Sequence, residues 1–372
     1  MSTPRRVWLL APAGLALLAG LDAALLLVGV PAPVTSSRLE DLHGGLMVLC
    51  FLGGLIALER AVALGAPAGY GAPALLGLGG VALLLPGMPP LVGKTLVLAG
   101  LVALVAVYTA LWRRKRDDPV LVEGLGAAVA LCAAILWLRV DLATTVPWLA
   151  GFVILTIAAE RVELARLVLP ASADLVLVVL AGALVVALVA ALLAPGPGAR
   201  ALGIVVLLLV AWLARHDVAR HTIRLVGLPR FSAAALLVGY VWLAVAGLVW
   251  ALVGAPRTTP AYDAVVHTVF LGFAMSMVMA HAPVILPAVA RRPLPYHPVL
   301  WVPLVVLHAG LVLRVLFGDG LGIDPLWRAG SLVTVAALLL MVVTNLALVV
   351  TARSSSGSTG RSAPRARVES VP

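Results

Sequence analysis

The sequence predicts an all-α, polytopic membrane bundle of about twelve transmembrane helices with both termini in the cytoplasm. Three observations predict it. The 372 residues are 63% hydrophobic and 11% charged, with a mean hydropathy of +1.13, whereas a soluble domain carries about 25% charged residues. Apolar runs of about 20 residues, the length that crosses a bilayer, recur along the whole chain. The segments between these runs alternate between rich and poor in Lys and Arg, as expected when basic loops stay in the cytoplasm.

The runs are 7–30, 42–64, 70–86, 91–112, 120–140, 146–168, 174–194, 199–218, 231–254, 262–288, 298–317 and 327–350. The first opens like a secretory signal. Its apolar stretch exceeds a signal core of roughly 7–15 residues, so a retained helix is expected. The third is short. The eighth is expected to continue as an amphipathic helix into "ARHDVARHTIRL". Pro and Gly cluster between runs, as in "PAPVTSS", "LPGMPPLVG", "APGPGAR" and "RRPLPYHP", where they break helices. No segment between runs is long enough for a second domain. One transmembrane domain over 1–350 is expected, followed by a polar, basic, disordered tail at 351–372.

The basic residues test the helix count. Alternate segments, starting from the N-terminus, hold nineteen of the 26 Lys and Arg residues. The other side holds only Arg38, Lys94, Arg139, Arg200, Arg257, Arg314 and Arg328. A wrong number of runs would scramble this asymmetry. The net charge of +10 is therefore assigned to orientation and lipid headgroups in the cell membrane. Without aromatic-basic interleaving on a soluble domain, nucleic acid is set aside as a partner. Cys50 and Cys132 lie inside apolar runs; neither a disulfide framework nor zinc spacing is present, and buried free thiols are expected.

Polar groups inside such runs are costly and are functional candidates. The second run, "DLHGGLMVLCFLGGLIALERAV", carries His43 near the outer face and Glu59-Arg60 about 24 Å deeper. The tenth carries His267 at the depth of His43 and His281 about 21 Å further in. The eleventh carries His308 about ten residues in. Two depth-matched pairs are expected, His43 with His267 and His281 with His308. Two imidazoles facing each other across a bundle are what axial ligation of haem iron requires. Helix-to-helix hydrogen bonding is the competing reading for each. Asp22, on the first run, is a further acceptor for a ligand histidine.

"LHGGLM" resembles the HGxxM-type motif on the second helix of haem-copper oxidase subunit I. "HTVFLGFAMSMVMAHAPVILP" resembles the tenth helix of that superfamily. Among its relatives, NnrS-like haem- and copper-containing proteins associated with nitric oxide are similar in character. The resemblance implies twelve helices, b-type haem held by His43 and His267, and a role in electron transfer or in nitric-oxide sensing or defence. A redox partner or nitric oxide itself is the implied partner. Arg38, Arg314 and Arg328 are the expected cations for haem propionates. His281 and His308 would form a second site for haem or copper. The departures are specific. Val265 stands where subunit I has its second tenth-helix histidine, and the sixth and seventh runs have no histidine. A complete terminal oxidase is therefore excluded.

The stretch "FLGGLIALERA" is echoed by "FVILTIAAERV" in the sixth run. Phe51, Phe152 and Phe273 each stand eight residues before Glu59, Glu160 and His281. These lie on runs two, six and ten, which are equivalent in the pseudo-threefold arrangement of subunit I. The echo expects Glu59, Glu160 and His281 around one axis, as snorkelling ion pairs or as a proton or ion path joined by Glu163. A transporter or channel using that path is the alternative function, and a metal-free scaffold is a third. Asp217 and His221 share a helix-spacing pair in a stretch read as a headgroup-binding edge. His297 is read as solvated, and Met275, Met277 and Met279 as packing residues.

Overall fold

In a computed structural model, which describes residues 8–166, 168–256, 258–290 and 296–358 (side chains excepted at 37, 285–290 and 352–358), the chain is a helical bundle. Twelve helices are long and apolar enough to cross a membrane. They are α1 Leu10–Leu27, α2 Arg38–Leu64, α3 Pro67–Leu84, α4 Pro90–Lys115, α5 Asp118–Trp137 and α6 Leu142–Ala165. The second half comprises α7 Ala173–Leu193, α8 Pro195–His216, α9 Leu228–Val253, α10 Thr259–Val284, α11 Pro298–Asp319 and α12 Asp324–Thr351. Prolines at the first positions of α3, α4, α5, α8, α9 and α10 start helices where no backbone N–H partner is lost.

Helices adjacent in sequence pack against each other, and α12 returns to touch α1. The three most enclosed helices are α6 and α10, with 78% of their apolar windows buried, and α2, with 67%. Phe51, Phe152 and Phe273 are all buried. The helices linked by the sequence echo therefore form the centre, and the others face lipid.

Among the described residues, three helices carry π-helical segments. The π-helical segments Gly45–Leu52 on α2, Thr268–Met275 on α10 and Val312–Asp319 on α11 are each eight residues long. Such segments are rare and concentrate at functional sites. Helices α11 and α12 cross closely: a Cβ on Gly330 would stand 2.4 Å from the Arg314 nitrogen.

Several expectations need correction. Helix α8 does not run on through "ARHDVARHTIRL". It ends at His216, Asp217 is extended, and a short helix follows at Ala219–Thr222. Asp217 is not at a headgroup edge: it turns inward to Arg161. Its side chain is fully buried and bonds Arg161 Nε and Nη2 at 2.9 Å each, the Tyr240 O–H and the Ala219 N–H. The last helix continues past 351 to Ser358, so the start of the expected tail is helical; residues 359–372 lie outside the described residues. Cys50 is buried as expected, but Cys132 is exposed on the bundle surface, where apolar side chains meet lipid rather than core.

Burial pushes the Asp217 carboxyl up, but the bonds and charge of Arg161, with Tyr240 and Ala219, outweigh this and hold it below its ordinary 3.8. A depressed folded value means that its contribution is fully present above pH 3.8 and is lost as pH falls through the folded value. Asp217→Ala strands Arg161 in the interior and is expected to cost about 3–5 kcal/mol. Thermal unfolding in detergent reads this; an unchanged midpoint would remove the clasp from the stability account.

Candidate functional site

The site on the face expected to be outer is built from α1, α2, α10, α11 and α12. His43 Nδ1 lies 2.8 Å from the Gly20 carbonyl. A carbonyl only accepts, so Nδ1 carries the proton and, in the neutral ring, Nε2 keeps its lone pair. Gly20 lets Met47 pack against α1 here: a Cβ would stand 2.5 Å from its Sδ and force that side chain to move. Glycines at 44 and 45 allow Leu142 and the Trp137 ring to close on the other side of α2, each 2.6 Å from where a Cβ would stand. The acceptor is thus Gly20; Asp22, two residues on, instead takes the Val34 N–H.

His267 is held the same way. Its Nδ1 lies 2.9 Å from the Asp263 carbonyl and 3.1 Å from Asp263 Oδ1. The Asp263 carboxylate is in turn fixed by Arg314 Nε and Nη2 at 2.8 and 2.7 Å and by Trp327 Nε1 at 3.1 Å. A carboxylate behind an imidazole sets its tautomer and orientation and raises its basicity as a ligand. Asp319 stands beside Asp263.

Neither Nε2 has a hydrogen-bond partner among the described residues. His43 and His267 lie deep in the bundle and within electrostatic reach of each other, together with Asp263 and Arg314. Both rings keep some accessible surface. Helices α2 and α10 each enter a π-helical segment within two residues of the histidine. Two imidazoles with free Nε2 lone pairs are the donor type that haem iron takes.

The cations fare unequally. Arg38 Nη1 reaches the Leu85 and Pro86 carbonyls, while its Nε and Nη2 are buried with no acceptor among the described residues. Those two donors fit a carboxylate such as a propionate. Arg314 does not fill the expected role, because its fork is occupied by Asp263. Arg328 bonds the Val28 carbonyl and ties α12 to the end of α1.

The expected inner histidine pair is not assembled. His308 Nδ1 accepts from Trp242 Nε1 at 2.9 Å. Ser276 Oγ gives its proton to the Gly272 carbonyl, so His308 Nε2 is the donor in its 3.4 Å contact with that oxygen. Both ring nitrogens are therefore used, and no lone pair remains for a metal. His281 follows Ser276 by five residues, which turns it about 140° around α10. It faces Glu160 instead, at 3.8 Å. Among the described residues no three His, Cys, Asp or Glu side chains converge as a metal site.

At the inner end, Arg60 reaches Glu59 at 2.6 Å, Glu123 at 3.1 Å and Glu163 at 3.9 Å. Glu59, Glu160 and His281 are brought together, as the echo expects. Arg161 is committed to Asp217, so Arg60 is the cation that pairs with Glu59, Glu123 and Glu163, with Glu160 within electrostatic reach of both arginines. The Arg60 side chain is 12% exposed; it is enclosed rather than snorkelling. Glu123 Oε1 and the Tyr108 hydroxyl are buried without partners among the described residues. Sequence reasoning missed Glu123, although a lone Glu in the apolar run of α5 was a visible signal. It also missed Asp263, signalled by its four-residue spacing from His267. Tyr108 carried no signal. His297 is exposed and accepts the Val299 N–H; Met275, Met277 and Met279 are buried packing residues.

The family whose model matches residues 6–350 is described as Domain of unknown function (DUF8744). No curated protein and no solved structure matches the chain.

Proposed function

We propose that this chain, which belongs to the DUF8744 family, binds b-type haem between His43 and His267 and acts in electron transfer or in nitric-oxide sensing or defence. The observation that carries the reading is the matched anchoring of the two histidines. Each gives its Nδ1 proton to a helix carbonyl and leaves Nε2 free, which is the tautomer an axial ligand needs. A bis-imidazole haem supplies one-electron chemistry. The chain's own residues do the positioning. Gly20 and Asp263 orient the rings, Arg314 and Trp327 fix Asp263, and Arg38 offers two free donors to a carboxylate. The distribution of Lys and Arg supports a cell-membrane protein with cytoplasmic termini.

The test is an absorption spectrum of detergent-purified protein, made with haem available, before and after dithionite. A Soret band with sharp reduced low-spin bands is expected. A folded, colourless protein would sink the reading.

One observation favours a second reading, a proton- or cation-conducting path. Glu59, Glu123 and Glu163 pair with Arg60 at the inner end, with Glu160 beside them. Glu59 and Glu163 keep 28% and 33% exposure there, so the cluster is open to the surface. Such groups inside membranes mark ion pathways. Flux into proteoliposomes that Glu160→Gln abolishes, in a colourless protein, would select this reading over haem.

A further inference from the structure

A recess between the α8–α9 loop and the start of α11 serves neither reading. We infer that it holds the phosphodiester headgroup of an anionic phospholipid from the surrounding bilayer. Val226, Gly227, Arg230, Tyr296 and Trp301 line a space of about 340 Å³. Gly227 has φ 70° and ψ −142°, a conformation that residues with a Cβ avoid. The turn it makes leaves Val226 82% and Leu225 51% exposed, just before α9 begins.

The aromatic wall is built, not incidental. Trp301 Nε1 donates to the Tyr296 oxygen at 3.0 Å, and the buried Phe231 packs edge-on against Trp301 at 5.5 Å. Because the Tyr296 oxygen accepts that bond, its own O–H is left to donate outward. Arg230 is exposed, and among the described residues neither it nor Arg215, Arg220 or Arg224 has an ion-pair partner. Asp217, on the same loop, is taken by Arg161 and Tyr240. The recess therefore offers a guanidinium and a hydroxyl with no carboxylate to answer them. A phosphodiester matches the guanidinium fork. Leu225 and Val226 decide the source. They present apolar surface beside the donors at the helix ends, the depth at which Trp and Tyr meet headgroups. A soluble anion would leave that surface uncovered, whereas an acyl chain covers it.

The test uses the full chain, delipidated in detergent and titrated with phosphatidylglycerol carrying brominated acyl chains. Brominated phosphatidylcholine is the zwitterionic control. Tryptophan emission is read, with Trp301→Phe identifying the share of Trp301. That share is expected to quench at a concentration about tenfold lower with the anionic lipid, and Arg230→Ala is expected to abolish the difference. Arg224→Ala removes the same charge outside the recess and is expected to keep it. Equal quenching by the two lipids overturns the inference. So does a preference that survives Arg230→Ala, or one lost equally in both variants, which would assign it to the charge of the face. Displacement of the lipid by equimolar inorganic phosphate would make this a free-anion site and likewise overturn it.

Discussion

His43→Ala and His267→Ala are each expected to abolish the low-spin haem spectrum while leaving a folded bundle. Each removes one Nε2 donor, and two strong-field imidazoles are needed for a saturated iron. Neither change strands a buried charge at His43, since its only protein bond is to the Gly20 carbonyl. At His267 the Asp263 carboxylate keeps Arg314 and Trp327, so the network survives the loss of its imidazole. Asp263→Asn gives the intermediate case. It weakens the carboxylate behind the ligand, and losing such a hydrogen-bond partner of a ligating imidazole costs about 10–100-fold in affinity. The expected order is therefore complete loss for the histidine variants and weakened haem retention for Asp263→Asn. Spectra of the three variants, purified alike, check it. Full colour in either alanine variant would remove that histidine from the ligand set.

Arg60→Met is expected to give the largest loss of stability of any single change at the inner end. Arg60 is the cation that Glu59, Glu123 and Glu163 share, and Glu123 is fully buried. Removing one member of a buried ion pair costs about 3–5 kcal/mol, because the partner charge is left uncompensated. Glu163→Gln is expected to cost at most about 1 kcal/mol, since its 3.9 Å contact is one-third exposed and solvent screens such pairs. Adding Glu123→Gln to Arg60→Met is expected to recover part of the loss, which a purely steric role for Arg60 would not allow. Thermal midpoints of the single and double variants in matched detergent decide this. Equal midpoints for Arg60→Met and wild type would mean that water reaches the cluster well enough to replace the guanidinium.

Reading depth from the sequence worked where a polar group faces a bundle of known rise. Counting at 1.5 Å per residue paired His43 with His267, and the sequence echo grouped Glu59 with Glu160 and His281; the structure puts the two histidines within electrostatic reach and Glu160 against His281, near Glu59. It failed for His281 and His308. Depth does not carry azimuth, and His308 is turned toward Trp242 and Ser276. Arg314 stands at the level of His43 and His267, but its fork closes on Asp263, a partner 51 residues away. The run after α8 reads as amphipathic, yet Asp217 turns inward because Arg161, on another helix, needs a counter-charge.

The sequence by itself determined that this is a helical membrane protein with twelve crossings, because the bilayer demands length and apolarity within each segment. It also determined which segments carry groups too costly to leave in lipid. Only the tertiary structure decided the partners of those groups. It decided that the His43 and His267 rings surrender Nδ1 and keep Nε2, that Arg60 serves three carboxylates, and that α2, α10 and α11 become π-helical. Hydropathy is a property of one segment and survives averaging along it. A hydrogen bond between helices depends on how far each is rotated, and that rotation is set by side chains packing from distant parts of the chain.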